Sequence, residues 1–261
     1  MIKSRRSKPL TKTKPIEIKI KMNNPIWLFD LDNTLHRADC GIFQLINREM
    51  TAYLARHLNL SMQAASALRE QYWHQYGATL AGLQKHYPHI DIMDFLRQSH
   101  PENEVKAALV AEINLPQHLA QLDGTKVVFS NGPAFYAQTI LEELSIRHYF
   151  NKVFGCDDFG LLYKPAVQSY RTVLTQLAVL PEQCIMVDDA AANLRPAKDL
   201  GITTVWFGQT AHNLPFVDFV AKDMADLVRL WHLIDDKCFA KEVDKALKIN
   251  EKPIRVNLDD L

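Results

Sequence analysis

The stretch 26-IWLFD-30 runs directly into 30-DLDNT-34. Consecutive large apolar residues ending on an aspartate read as a strand of a parallel sheet, buried on both faces. The acidic residues arrive where the chain leaves that sheet. Residues two apart on a strand point the same way, so Asp30 and Asp32 share a direction. Burying two carboxylates together is costly unless a cation or a catalytic role compensates. On its own, the pair reads equally well as an acidic strand-to-loop turn with solvated side chains.

Similar apolar runs recur at wide spacing: 126-KVVFS-130, 184-CIMVD-188 and 203-TTVWF-207, with a shorter one at 152-KVFG-155. Helical patterns at 134–145, 166–178 and 190–200 separate them. Strand–helix alternation of this kind predicts a doubly wound, Rossmann-like α/β parallel sheet, and right-handed crossovers bring every strand's C-terminal end to one edge. From His36 to Asp123 the alternation stops and the apolar spacing is helical throughout. Examples are Phe43, Ile46, Met50, Tyr53 and Leu54, then Leu68, Tyr72 and Tyr76, with Ser61 placed to cap a helix. The expected organisation is a core of 23–35 and 124–234, an inserted helical cap at 36–123 above the sheet's C-terminal edge, a closing helix at 216–234, and a charged tail at 235–261.

Residues 1–22 hold eight Lys and Arg against the lone Glu17, a net of +7 in a chain whose overall charge is zero. With Pro9 and Pro15 and few large apolar residues, this basic leader is expected to be disordered. Met22 lies just ahead of the first strand and offers an alternative start, with 1–21 an upstream extension; a transit peptide is the lesser reading. The balanced charge argues against nucleic acid as a general partner, and the leader lacks interleaved aromatics. Cys40, Cys156, Cys184 and Cys238 show no metal-site or disulfide spacing, which fits reduced thiols in a cytoplasmic protein. No apolar run approaches the ~20 residues needed to span a bilayer.

Three further strand ends bear on the chemistry. Ser130-Asn131-Gly132 offers a hydroxyl and free amides at a helix start, a ready anion site. Lys164-Pro165 precedes the 166–178 helix, with the proline suited to its first turn. Asp188-Asp189, followed by Asn193, brings a second carboxylate pair to the same edge. Each alone has a plainer reading as turn, surface lysine or helix cap. Together they set four acidic groups, a cation and a hydroxyl around one crevice, a donor set that suits Mg2+ better than calcium or zinc.

The ordered set Asp30-x-Asp32-x-Thr34, Ser130, Lys164 and Asp188-Asp189 resembles the four motifs of the haloacid dehalogenase-like hydrolase superfamily. The resemblance implies a magnesium-dependent phosphatase: Asp30 attacks phosphorus, and Asp32 protonates the leaving oxygen and then activates water. It implies that Mg2+ is held by Asp30, the Asp32 carbonyl and Asp189, with Asp188 and Asn193 in support. Ser130, Asn131 and Lys164 would bind the phosphoryl group, and Thr34, grouped with them, would help position Asp32. Dehalogenases of the superfamily do not need the second aspartate, so Asp32 argues against that activity; a phosphoglucomutase-like reading stays open.

The lid stretch 72-YWHQYGATLAGL-83 resembles the pyrimidine 5′-nucleotidase branch, with Tyr76-Gly77 followed by Gly82-Leu83. This implies nucleoside 5′-monophosphates as substrates, with His36, Tyr76 and Gly77 as lid contacts; His36 stands where that branch often has Tyr. The nearest alternative is a sugar-phosphate or phosphoglycolate phosphatase. The expected partner is a small-molecule phosphomonoester, with no membrane, and the protein a monomer or homodimer.

Overall fold

The computed structural model describes residues 24–208 and 214–231. The leader 1–22, Met22, Cys238, the tail 235–261 and the end of the anticipated closing helix lie outside the described residues.

Six parallel strands form one sheet: β1 (Ile26–Phe29), β2 (Thr125–Phe129), β3 (Phe150–Phe154), β4 (Cys184–Asp188), β5 (Thr203–Phe207) and β6 (Phe219–Ala221), in the spatial order β3-β2-β1-β4-β5-β6. β1 is central and wholly buried. Its Trp27 stacks on Phe29, packs against Trp231 and donates its indole N–H to the Asp123 carbonyl at 2.7 Å. Helices α7 (Ala134–Glu143), α8 (Val167–Leu177) and α9 (Ala191–Leu200) alternate with the later strands. The succession runs outward from β1 to β2 and β3, then restarts on the other side at β4. The reversal between β1 and β4 opens a crevice at their C-terminal ends.

The anticipated closing helix differs. Phe219–Ala221 is a sixth strand, and the helix begins only at residue 224. Three residues are too few to show a period of two, so an edge strand this short merges with the helical pattern that follows it. Its approach is fixed by Asp218, which accepts from the Thr204 amide (3.0 Å) and pairs with Lys198 (2.6 Å).

Between β1 and β2 lie α1 (Ile42–His57), α2 (Met62–Tyr76), α3 (Thr79–His86), α4 (Ile92–Ser99), α5 (Glu102–Ala108) and α6 (Leu115–Gln121). Ser61 Oγ accepts the Ala64 amide at 3.2 Å and caps α2. Ile46, Tyr53 and Leu54 are buried, whereas Phe43 is left exposed. The outgoing and returning linkers pair: the Arg37 amide donates to the Val110 carbonyl (2.9 Å), and His36 bridges to Ala111. Five helices therefore hang from a paired base, and α6 follows the return to the core. Among the described residues no helix is long and apolar enough to cross a membrane.

Candidate active site

Asp30 leaves β1 with its amide on the Val187 carbonyl (2.9 Å), and Asp188 ends β4. Lys164 stands between them, its Nζ 2.7 Å from Asp30 Oδ1 and 2.7 Å from Asp188 Oδ2. The lysine is 2% exposed and its ammonium lies over the Phe129 ring. Asn131 holds its backbone from both sides: Oδ1 accepts the Lys164 amide (2.7 Å) and Nδ2 donates to the Lys164 carbonyl (3.0 Å). Burial opposes the ammonium charge, but the two carboxylates outweigh it and raise the lysine above its ordinary range. Pro165 follows through a cis peptide bond and lies two residues ahead of α8, not in its first turn.

Burial pushes Asp30 up to about 6 against the pull of Lys164, with Asp189 and Asp32 adding like charge. Burial also raises Asp188 to about 6. Asp189, with Asp188 beside it, rises for the same cause to about 6. Carboxylate oxygens of these three residues lie within 4.8 Å of one another.

The bonding pattern separates their duties. Asp188 is fully buried and already accepts from Lys164, the Ala190 amide (2.9 Å) and Asn193 Nδ2 (3.0 and 3.1 Å). Asn193 is fixed in turn by Tyr170, which donates to its carbonyl at 2.6 Å. Asp30 keeps one oxygen clear of Lys164. Asp189 is partly open, and its carbonyl accepts the Trp206 indole N–H at 2.8 Å. Hard oxygen donors without nitrogen or sulfur, carrying more negative charge than one lysine offsets, fit a magnesium ion held by Asp30 and Asp189.

Asp32 follows Asp30 by two residues, its backbone in an isolated bridge with His36. Its Oδ1 accepts from His36 Nε2 at 3.0 Å and from the Tyr136 hydroxyl at 2.5 Å. Burial works against its charge, but these hydrogen bonds and the nearby His36 and His100 hold the carboxyl below its usual range. Ser130 is fully buried and its Oγ accepts the Gly132 amide (2.9 Å), which leaves the hydroxyl proton to give.

Residues 26–201 match the family model for haloacid dehalogenase-like hydrolases. The chain belongs to this family. It is 22% identical over 190 residues to Phosphate metabolism protein 8 of Saccharomyces cerevisiae, covering 68% of this chain and 59% of that protein. To the 6-phosphogluconate phosphatase of Escherichia coli it is 28% identical over 145 residues, 55% of this chain and 61% of that one. The chain thus spans about three-fifths of the length of these relatives. Its fold is similar to the crystal structure of a HAD phosphatase from Thermococcus onnurineus, with a TM-score of 0.57 and 19% identity over 80% of this chain and 97% of that one.

In this haloacid dehalogenase-like hydrolase the motif residues Asp30, Lys164, Asp188 and Asp189 converge, with Asp32, Ser130 and Asn131 around them. Other anticipated residues sit differently. Thr34 is fully buried, and its Oγ1 has no hydrogen-bond partner among the described residues, so it makes no hydrogen bond to Asp32. His36 is fully buried behind Asp32 and faces no substrate space. The Tyr76 hydroxyl is taken by His86 (2.7 Å), and its carbonyl accepts the Tyr163 hydroxyl (3.0 Å). Gly77 ends α2 at φ +82, where a side chain would be strained. A Cβ on Gly82 would fall 2.1 Å from the Tyr72 ring, so that glycine lets α3 lie on α2. Gly77 thus serves the backbone turn and Gly82 the packing. Tyr136, Trp206, Tyr170 and His100 escaped the sequence reading, because each acts through a partner remote in the chain and sits in no motif of its own.

Proposed function

We propose that the protein is a magnesium-dependent phosphomonoesterase that hydrolyses phosphate esters of a primary sugar alcohol through an aspartyl-phosphate on Asp30. The observation that carries the reading is the Asp30–Lys164–Asp188 array with Asp189 beside it and a separately anchored second carboxylate, Asp32, two residues beyond Asp30.

A carboxyl near 6 is mostly ionised at neutral pH, so Asp30 is competent to attack phosphorus. Lys164 fixes one of its oxygens and leaves the other for the new bond. Ser130 and the Asn131 amide lie in the turn between β2 and α7, where they would donate to phosphoryl oxygens. Asp32 gives the proton that an alkoxide needs to depart; the incoming phosphate dianion, a like charge beside it, raises its carboxyl toward protonation. The ionised Asp32 then takes a proton from the water that cleaves the aspartyl-phosphate. Magnesium on Asp30 and Asp189 would neutralise charge on the transferring group.

The nucleoside 5′-monophosphate reading draws on the lid stretch 72–83, and the plain sugar-phosphate reading on the likeness to 6-phosphogluconate phosphatase. Both substrates present a primary alkoxide as leaving group. Phosphate release with and without magnesium, on UMP, CMP, dUMP, TMP, AMP, GMP, glucose 6-phosphate and 6-phosphogluconate, with Asp30→Asn as control, tests the proposal. Magnesium-dependent turnover lost in Asp30→Asn is expected, and the preferred ester decides between nucleotide and plain sugar. Turnover that survives Asp30→Asn overturns the mechanism.

A further inference from the structure

Asp32 is gripped by one oxygen only. His36 Nε2 and the Tyr136 hydroxyl both reach Oδ1, while among the described residues nothing is bonded to Oδ2. The side chain is 19% exposed, so the free oxygen is the one with access to the crevice. A carboxylate is acceptor-only, so the His36 ring donates to it from Nε2, and the buried Nδ1 has no partner among the described residues.

The two donors are built into different parts of the fold. His36 lies on the outgoing linker, where its backbone bridges both Asp32 and Ala111. Tyr136 rises from the first turn of α7, 2% exposed, with the His100 ring 5.1 Å away. It lies so close over the turn after β2 that a Cβ on Gly132 would fall 2.8 Å from its ring. The third residue of 130-SNG-132 thus makes room for a tyrosine whose hydroxyl is spent on Asp32.

We propose that Tyr136 and His36 are positioning residues that divide the work of the two Asp32 oxygens, holding Oδ1 as a fixed acceptor and turning Oδ2 to the crevice as the oxygen that protonates the leaving group. The inference rests on the phosphatase reading and deepens it. As an Asp30 oxygen bonds to phosphorus, the bond from phosphorus to the leaving oxygen breaks. The electron pair goes to that oxygen, which takes the proton from Oδ2, and the charge left on Asp32 is met by the two donors on Oδ1.

The magnesium-loaded protein is tested on p-nitrophenyl phosphate, phenyl phosphate and glycerol 3-phosphate, whose leaving groups run from a phenolate that departs unaided to an alkoxide that needs a proton. The readout is kcat/KM, which reports the phosphorylation step. Tyr136→Phe keeps the ring and removes the hydroxyl. It should lose about tenfold or more on glycerol 3-phosphate beyond its loss on p-nitrophenyl phosphate, a part of the 10²–10⁴ worth of a general acid. Asp32→Asn should show the same tilt in full. His36→Gln, which keeps an amide donor near the Nε2 position, should retain most of what His36→Ala loses on glycerol 3-phosphate. Equal losses across the three esters in Tyr136→Phe, with the tilt present in Asp32→Asn, overturn the inference and leave the phosphatase reading intact. No tilt in Asp32→Asn removes the acid role and the inference with it, while loss of all turnover in Asp30→Asn still upholds the phosphatase.

Discussion

Replacing Lys164 by Met tests the electrostatic centre of the site, because a fully buried cation then gives way to a side chain of similar length and no charge. Each carboxylate oxygen lies 2.7 Å from Nζ. At an effective dielectric near 20, a charge pair at that distance is worth roughly 6 kcal/mol before desolvation. Desolvation cancels much of this, and removing one partner of a buried ion pair costs about 3–5 kcal/mol net, because the other partner is left uncompensated. Here two carboxylates are left, with Asp189 beside them. At about 2–4 °C per kcal/mol for a protein of this size, the metal-free melting temperature should fall by about 6–20 °C. Magnesium should recover part of the loss, since a divalent cation supplies the charge the lysine no longer does, so the magnesium-induced shift should be larger in Lys164→Met than in the parent. Thermal melts followed by far-UV circular dichroism, with chelator and with excess magnesium, measure both quantities. A melting temperature within about 2 °C of the parent, less than 1 kcal/mol, would refute the view that the three carboxylates depend on Lys164.

Trp206→Phe removes the indole N–H that holds the Asp189 carbonyl, and magnesium affinity by titration calorimetry should weaken about tenfold, as for other lost partners of a metal ligand. Gly82→Ala drives a methyl into the Tyr72 ring and Gly77→Ala strains a left-handed helix end, so each should cost about 1–3 kcal/mol in thermal melts. A raised KM in Gly77→Ala at unchanged stability would instead mark that glycine as a substrate contact. The pH dependence has a defined sign. Asp30, Asp188 and Asp189 titrate near 6 when folded, above the ordinary carboxylate value of 3.8. The folded state therefore binds more protons in that window, and metal-free stability should fall as pH rises through it and level off above. Asp32, shifted downward, adds the opposite slope only at lower pH. Magnesium competes with those protons, so its stabilising shift by scanning fluorimetry should be near zero at pH 4 and grow to its full size by about pH 7.

The parts of the fold that could be read in advance are those where local pattern and tertiary position agree. β1 and β4 are buried along their whole length, so their sequences are almost continuously apolar and reach a carboxylate at the crevice, Asp30 just past β1 and Asp188 at the end of β4, whereas β2 and β5 carry their polar residues, Thr125 and Lys126, Thr203 and Thr204, at the opposite end. β6 has intermediate burial over two of its three residues, and a strand that short at a sheet edge has no apolar run to announce it. The lid stretch was legible as helix but not as site. Tyr72 is buried, Tyr76 is tied to His86, and aromatic residues at helical spacing look the same whether they line a core or a ligand.

For the site, the sequence yields the residues whose spacing is set by one strand end and conceals those whose meaning lies in a distant partner. Asp30 and Asp32 announce each other across two positions, and Asp188 and Asp189 across one. Tyr136 stands 104 positions from Asp32 and reads as an ordinary helical aromatic, yet its hydroxyl and the His36 imidazole both take the same Asp32 oxygen. His36 was legible only as a departure from a family's tyrosine. In the fold its side chain secures Asp32 while its backbone pairs with the returning linker at Ala111, so a single residue belongs to the base of the helical insert and to the Asp30–Asp32 loop at once. Replacing His36 should therefore be felt on poor leaving groups before it is felt on the binding of the ester.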